Sequence, residues 1–342
     1  MKIAVVGATG AVGQDIRRLL EARDFPCDEV VMVASERSAG KALRFRGQEH
    51  TVRALTEDGV FDGVSLALFS AGAARSREHA PRAVEAGAVV VDNSSCWRMD
   101  PDVPLVVSEV NPEALGRVPQ GIVANPNCTT MIAMLPLKAL HDAFGLRAFV
   151  ATSFQAASGA GQRGIDELEA QVEPLFARRE LLRIDGAAAA KLVERHVHAR
   201  TLAFNVVPLL GTEQAGGYTD EEMKLCNESR KILGLPDLEV SPTCVRVPVM
   251  VGHALQIRAT FSERVTAASA ISAMEGFPGL LCDHAPTPLE WAGRDEVAVG
   301  RVRSDLADPH ALNFWVTGDN LLKGAALNAV QLAELLIERH IR

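Results

Sequence analysis

The sequence predicts an α/β protein: a doubly wound, mainly parallel sheet in the first third, then an α+β unit on a more antiparallel sheet. Three observations carry this. The β-branched run at residues 3–6 feeds straight into a glycine-rich turn, Gly7 to Gly13, as a buried parallel strand does before a helix. Short apolar runs then alternate with helical periodicity up to residue 127. From residue 128 the pattern changes to longer strand-like runs separated by charged helices.

The elements follow in order. Residues 3–6 are the first strand, and the next helix runs about ten residues, with Ile16, Leu19 and Leu20 at helical spacing. Strands follow at 30–34, 64–69, 89–91 and 105–107, with a helix over 73–86. Right-handed crossovers make this a doubly wound sheet. Residues 128–143 form a helix with Met131, Ile132, Leu135 and Leu140 on one face, and Pro136 is a candidate kink. A strand at 149–155, a charged helix at 163–180, an Ala-rich then apolar stretch at 186–210 and a helix at 220–233 come next. The second sheet takes 240–250, 254–261 and 297–302, and an amphipathic helix over 322–340 closes the chain. The expected domains are 1–127, completed by 322–342, and 128–321.

Composition narrows the function. At 342 residues and 48% hydrophobic content, the chain is neither disordered nor a disulfide scaffold. The net charge of -8 is spread along the chain, which disfavours nucleic acid as a partner. It leaves room for an anionic substrate bound by local Arg and Lys. No leader pattern opens the sequence, and no apolar run reaches the roughly 18 residues of a membrane span. The cysteines at 27, 96, 128, 226, 244 and 282 show no metal-ligand spacing. A reduced, cytoplasmic protein with no metal is expected.

Gly7, Gly10 and Gly13 form G-x-x-G-x-x-G, a variant of the dinucleotide fingerprint. The turn lets the backbone approach a pyrophosphate, and the helix start offers free N–H groups. Its position after a strand and before a helix is the one the mechanism requires. A Rossmann-type site is therefore expected, with Thr9, Ala11 and Val12 in the turn. The second strand ends in Ser35-Glu36-Arg37-Ser38. Arg37 is placed to pair with a 2′-phosphate and the two serines to donate to it, which favours NADP. Glu36 argues for NAD unless its side chain faces solvent.

Cys128 stands in Asn125-Pro126-Asn127-Cys128-Thr129-Thr130, at the start of a helix. Helix N–H groups there favour the thiolate and offer donors to an oxyanion. About 120 residues on come Arg246-Val247-Pro248-Val249 and the turn Gly252-His253. Taken alone, His253 is more often a structural histidine than a base. Glu221 and Lys224, three apart on a helix, share a face, as a plain surface ion pair also does. Arg98 and Arg246 taken singly suit exposed salt bridges, Gln155 a strand residue facing solvent, and Ser158-Gly159 a flexible loop.

In series, these segments resemble the aspartate-semialdehyde dehydrogenase family almost end to end. The matching pieces are the glycine turn, Asn93-Ser94-Ser95 with Arg98, Asn125 to Cys128, Gln155 to Gly161, Glu221-Glu222-Met223-Lys224, Arg246 to Val249, Gly252-His253 and Gly318-Asp319-Asn320-Leu321. The resemblance implies a glyceraldehyde-3-phosphate dehydrogenase-like fold with an NADP-binding domain and a catalytic, dimerising domain, and a homodimer. It implies reduction of L-4-aspartyl phosphate by NADPH to L-aspartate 4-semialdehyde and phosphate, in the biosynthesis of lysine, threonine and methionine. Cys128 would be the nucleophile, His253 the acid/base, and Gln155 would orient the thioester. Arg246 and Glu221 would hold the substrate's carboxylate and amino group. Arg98 and Lys224 would take phosphate, with Asn127 also at the substrate. Thr9 to Val12, Ser35 to Ser38, Ser158, Gly159 and Asn320 would contact NADP. Phe154 departs from the hydroxyl residue or Tyr of many relatives, a small change. The alternatives are an N-acetyl-γ-glutamyl-phosphate reductase, whose substrate has no free amino group for Glu221, and a non-catalytic NADP-binding scaffold.

Overall fold

A computed structural model describes residues 1–339. The elements in chain order are β1 (Lys2–Val6), α1 (Ala11–Ala22), β2 (Glu29–Ala34), β3 (Ala42–Phe45), β4 (Gln48–Thr51), β5 (Arg53–Ala54), β6 (Leu66–Phe69), α2 (Ala73–Glu85), β7 (Val89–Asp92) and β8 (Ile122–Ala124). Then come α3 (Cys128–Phe144), β9 (Leu146–Gln155), α4 (Gln162–Ala177), α5 (Arg179–Ile184), α6 (Gly186–Ala190), α7 (Asp220–Leu233), β10 (Glu239–Arg246) and β11 (His253–Phe261). Last are α8 (Ala267–Met274), β12 (Leu280–Cys282), α9 (Pro288–Trp291), β13 (Val297–Ser304), β14 (Ala311–Gly318) and α10 (Leu327–Arg339). The backbone divides into two units. One holds Met1–Met134, Glu228–Pro236 and the chain from Leu321; the other holds Leu135–Asn227 and Asp237–Asn320.

The first unit is built on a parallel sheet in the order β5-β2-β1-β6-β7-β8. Ile3 to Val6 are buried on both faces, which is why the run reads as continuously apolar rather than alternating. Ile16, Leu19 and Leu20 of α1 and Leu327, Val330, Leu332 and Leu336 of α10 enter the same core as Ile3, Val5 and Leu66. The last helix thus belongs to the first sheet, far from it in sequence. It opens with a π-helical turn, Leu322–Ala326, before α10. The part of the expected helix beyond residue 339 lies outside the described residues.

One expected strand is corrected. Residues 105–107 make only an isolated bridge, Leu105 to Ala124. The sheet's edge is Ile122–Ala124 instead. The backbone after Leu105 finds other partners: the Val107 N–H donates to Asn111 Oδ1 at 2.9 Å, and Asn111 Nδ2 returns to Leu105 O. With these groups met by a side chain, the run need not extend the ladder. The hairpin of β3 and β4 was not anticipated, because its residues are mostly polar and exposed.

The second unit carries a mixed sheet, β10-β9-β11-β14-β13-β12. Its three central pairings are antiparallel and its two outer ones parallel. The strand expected over 240–250 stops at Arg246. The Val247 N–H makes the last ladder bond, to Gln155 O; Pro248 then has no N–H to donate, and the Val249 N–H closes a tight turn on Val247 O. The helix expected over 163–180 breaks at Arg178, whose φ of -119° leaves the helical region. Two buried side chains of α4 fasten the irregular stretch that follows. The Glu167 carboxylate accepts the N–H groups of His196, Val197 and His198, and Gln171 Oε1 accepts those of Leu202 and Ala203.

Candidate active site

The glycine turn is built by close packing. Gly7 has φ +87°, and a Cβ there would lie 2.2 Å from Ser70 O. A Cβ on Gly13 would lie 2.1 Å from Gly7 O, so only hydrogen fits at either position. Gly10 meets nothing closer than 3.4 Å. It opens α1, and no side chain caps that end, which leaves the helix start available to an anion. Beside it lies a cavity of about 170 Å³ lined by Gly7, Thr9, Gly10, Ala34, Ser35, Leu55, Ser70, Ala71 and Arg75. This glycine turn and uncapped helix start fit the pyrophosphate of a dinucleotide. Ala11 and Val12 continue into α1, where Val12 packs on the core. Ser38 Oγ is 3.5 Å from Thr9 Oγ1. Arg37 is exposed and does not line the cavity, whereas Arg75 does. Arg75 comes from the start of α2, and its only signal in sequence is a basic residue just after the β6 turn. Glu36 is exposed, and its carboxylate accepts from Thr56 Oγ1 at 2.8 Å. Its own backbone N–H first, and then the Thr56 bond, hold Glu36 below the usual carboxylate range.

In the same unit, Cys128 is the first residue of α3. Of the helix-start N–H groups expected to serve an oxyanion, those of Thr129 and Thr130 are already taken. Both donate to Asn127 Oδ1, at 2.9 and 3.2 Å, so Asn127 is the helix cap. The Asn127 N–H donates in turn to Glu228 Oε2 at 2.7 Å. Arg98 is buried, not an exposed ion-pair partner. Its Nη1 pairs with Glu228 Oε1 at 3.1 Å, Nε donates to Asn125 O and Nη2 to Asn93 O. Cys128, Asn127 and Arg98 therefore belong to one cluster, and Glu228 completes it. Sequence reasoning missed Glu228; its place seven residues after Glu221 on the expected helix was the available signal.

In the second unit the Gln155–Ala156 segment gathers the rest. His253, fully buried, accepts the Ala156 N–H at Nδ1, 3.0 Å away. Arg246 Nη1 donates to Ala156 O at 2.6 Å. Gln155 Nε2 donates to Glu221 Oε1 at 3.3 Å, and Lys224 Nζ reaches Glu221 Oε2 and Asp220 Oδ2, both at 3.0 Å. Asn320 Oδ1 accepts from Ser158 Oγ at 3.0 Å and from the Gly252 N–H at 2.8 Å, linking the two loops. A Cβ on Gly159 would come within 2.5 Å of Arg246 Nη1 and 3.2 Å of His253 Nε2. Glycine thus lets that pair lie against the loop without displacing the Arg246 guanidinium. Among the described residues, no group of three or more His, Cys, Asp and Glu could hold a metal.

Acceptance at Nδ1 puts the proton of the neutral imidazole on Nε2. Burial first, then the Arg246 charge, holds His253 well below the ordinary histidine range. The ring is therefore neutral at pH 7, poised to donate from Nε2. Burial also lowers His198 and His79. Unfolded histidine titrates near 6.5, so below that pH the unfolded chain takes up protons that the fold refuses. The stability these rings confer is complete above about pH 6.5 and is lost as pH falls toward their folded values. Asp92, raised chiefly by burial, opposes this trend. The urea midpoint is expected to fall between pH 7 and 5.5; a flat profile would contradict the buried neutral imidazoles.

Known proteins repeat this plan. Residues 2–118 match the family description "Semialdehyde dehydrogenase, NAD binding domain", and residues 137–323 match "Semialdehyde dehydrogenase, dimerisation domain". The fold is thus that of the semialdehyde dehydrogenases, oxidoreductases with a nicotinamide-binding parallel sheet and a second, dimerisation domain. An aspartate-semialdehyde dehydrogenase from Streptomyces akiyoshiensis is 50% identical over 98% of both chains. A crystal structure of aspartate semialdehyde dehydrogenase II from Vibrio cholerae, complexed with ASA, superposes with a TM-score of 0.92 at 42% identity, covering 99% of this chain and 98% of that one. One from Candida albicans, with NADP, gives a TM-score of 0.75 at 26% identity, over 100% and 99%. The chain belongs to the aspartate-semialdehyde dehydrogenase family.

Proposed function

We propose that this chain catalyses the reversible, phosphate-dependent interconversion of L-4-aspartyl phosphate and L-aspartate 4-semialdehyde with NADP(H), through a thioester on Cys128. The observation that carries the reading is the charge set around Gln155 and Ala156. One guanidinium, one carboxylate and one ammonium suit a substrate with a carboxylate, an amino group and a phosphoryl group.

The roles follow from chemistry. The Cys128 thiolate attacks the acyl carbon, the C–O bond to phosphate breaks, and phosphate leaves. Attack through sulfur divides one difficult reduction into two easier steps. The glycine turn would hold the pyrophosphate of a nicotinamide dinucleotide, which would supply the hydride that the acyl carbon receives. The His253 Nε2–H hydrogen-bonds the oxyanion of the resulting thiohemiacetal and shares its proton with that oxygen until the C–S bond breaks, releasing the aldehyde and the Cys128 thiolate. Gln155 orients the acyl group. Arg246 takes the substrate's α-carboxylate, Glu221 its amino group, and Arg98 and Lys224 the phosphate, with Asn127 holding the thiol's helix.

The 2′-phosphate form of the cofactor is favoured because Glu36 is turned to Thr56 while Ser35, Ser38 and Arg75 stand near the cavity. Arg37, exposed two residues after Ser35, remains a further candidate cation for that phosphate. The Candida albicans relative with NADP supports the same reading. The Vibrio cholerae relative's complex with ASA supports the substrate class. The family description supports a homodimer, here acting in cytoplasmic amino-acid biosynthesis. Among the described residues no helix is long and apolar enough to cross a membrane.

The test is phosphate-dependent reduction of NADP with aspartate semialdehyde. Turnover is expected to need phosphate or arsenate and to be much slower with NAD. N-acetylglutamate semialdehyde is expected to be a poor substrate, having no free amino group for Glu221. Preference for it, or turnover without phosphate, would overturn the assignment.

A further inference from the structure

We infer that Glu228 is a positioning residue for the nucleophile, acting on Cys128 through the turn that precedes it. The inference rests on Cys128 being the nucleophile and deepens that reading. Glu228 is 1% exposed. Burying a carboxylate is costly unless it is paired and its lone pairs are satisfied. Both of its oxygens are used on the same short segment. Oε2 accepts the N–H of Asn127, next to the thiol residue, and Oε1 takes Nη1 of Arg98. The same guanidinium donates from Nε to Asn125 O. One carboxylate–guanidinium pair thus grips the backbone on both sides of Pro126.

The grip has a second anchor one turn further along α7. Lys231 Nζ donates to the carbonyls of Arg98, Asp100 and Val103 at 2.8, 2.6 and 2.8 Å. Arg98 is therefore held through its side chain by Glu228 and through its backbone by Lys231. Such a clamp fixes where Asn127 caps α3, and with it the direction of the Cys128 side chain. It also sets a buried negative charge beside the turn, which opposes formation of the thiolate and offsets Arg98.

Reach and charge are separable. Glu228→Asp keeps the charge and shortens the arm; Glu228→Gln keeps the arm and an acceptor oxygen and removes the charge. Each variant is measured for kcat, for thermal midpoint, and for the pH dependence of Cys128 alkylation by iodoacetamide, located by mass spectrometry. E228D is expected to lose at least about tenfold in kcat while folded, with its alkylation profile unshifted. E228Q is expected to move the profile about half a pH unit or more toward acid. A near-parent kcat in folded E228D, or an unshifted profile in E228Q, overturns the inference. Activity lost only in step with unfolding does so too. Cys128→Ala in the same assay tests the nucleophile separately: a fully active Cys128→Ala protein defeats the parent reading, whereas an inactive one leaves Glu228 to be judged by its own variants.

Discussion

Cys128→Ala is expected to abolish turnover, by about four orders of magnitude or more, while NADPH still binds. The alanine keeps the first position of α3 and is a better helix former than cysteine. Asn127 continues to cap Thr129 and Thr130, so the fold of that turn persists. The glycine cradle is made of other residues, and a fluorescence titration with NADPH should return an affinity close to the parent's. What disappears is the sulfur that accepts the acyl group. Direct hydride transfer to an acyl phosphate has no covalent route left. Rapid mixing with semialdehyde and NADP should also lose any burst of NADPH. Ordinary steady-state activity in this variant would end the thioester account.

His253→Asn is expected to cost about two to four orders of magnitude in kcat. Asparagine is the informative choice. Its side-chain oxygen is placed to accept the Ala156 N–H that His253 Nδ1 accepts at 3.0 Å. Alanine would leave that buried donor without this acceptor, at about 1–3 kcal/mol, and mix stability with catalysis. With asparagine the Nε2–H donor is removed and the loop remains. The semialdehyde KM should change little beside kcat, because the charges assigned to the substrate sit on Arg246, Glu221 and Lys224. A variant with near-parent kcat would show that His253 is a structural histidine, the reading its complete burial would otherwise suggest.

Much of this was legible in the chain before folding. The strands of the first sheet are runs of Val, Ile and Leu buried on both faces, so their signal is strong and short-range. Gly7, Gly10 and Gly13 announce a turn of one kind because backbone geometry is decided within a few residues. The misreadings have a common form. Residues 105–107 look like a strand but find their hydrogen bonds on Asn111. Residues 247–250 look like a continued strand, but Pro248 ends the ladder and the Val249 N–H bonds Val247 O. A polar side chain in the first case and a proline in the second outweighed strand propensity.

The site shows the same division. Roles for Cys128, His253, Arg246 and Glu221 came from the resemblance, through motifs in family order; taken singly, residue type left the bland readings open. Folding decided how each is used. Asn127 spends its oxygen on capping, Arg98 is buried against Glu228 rather than exposed, and Arg75 lines the cavity that Arg37 was expected to serve. The tautomer of His253 also came only from folding, because one backbone N–H, that of Ala156, selects it. Local covalent chemistry is written in neighbours, whereas desolvation, counter-charge and hydrogen-bond direction depend on groups far apart in the chain and brought together only by packing.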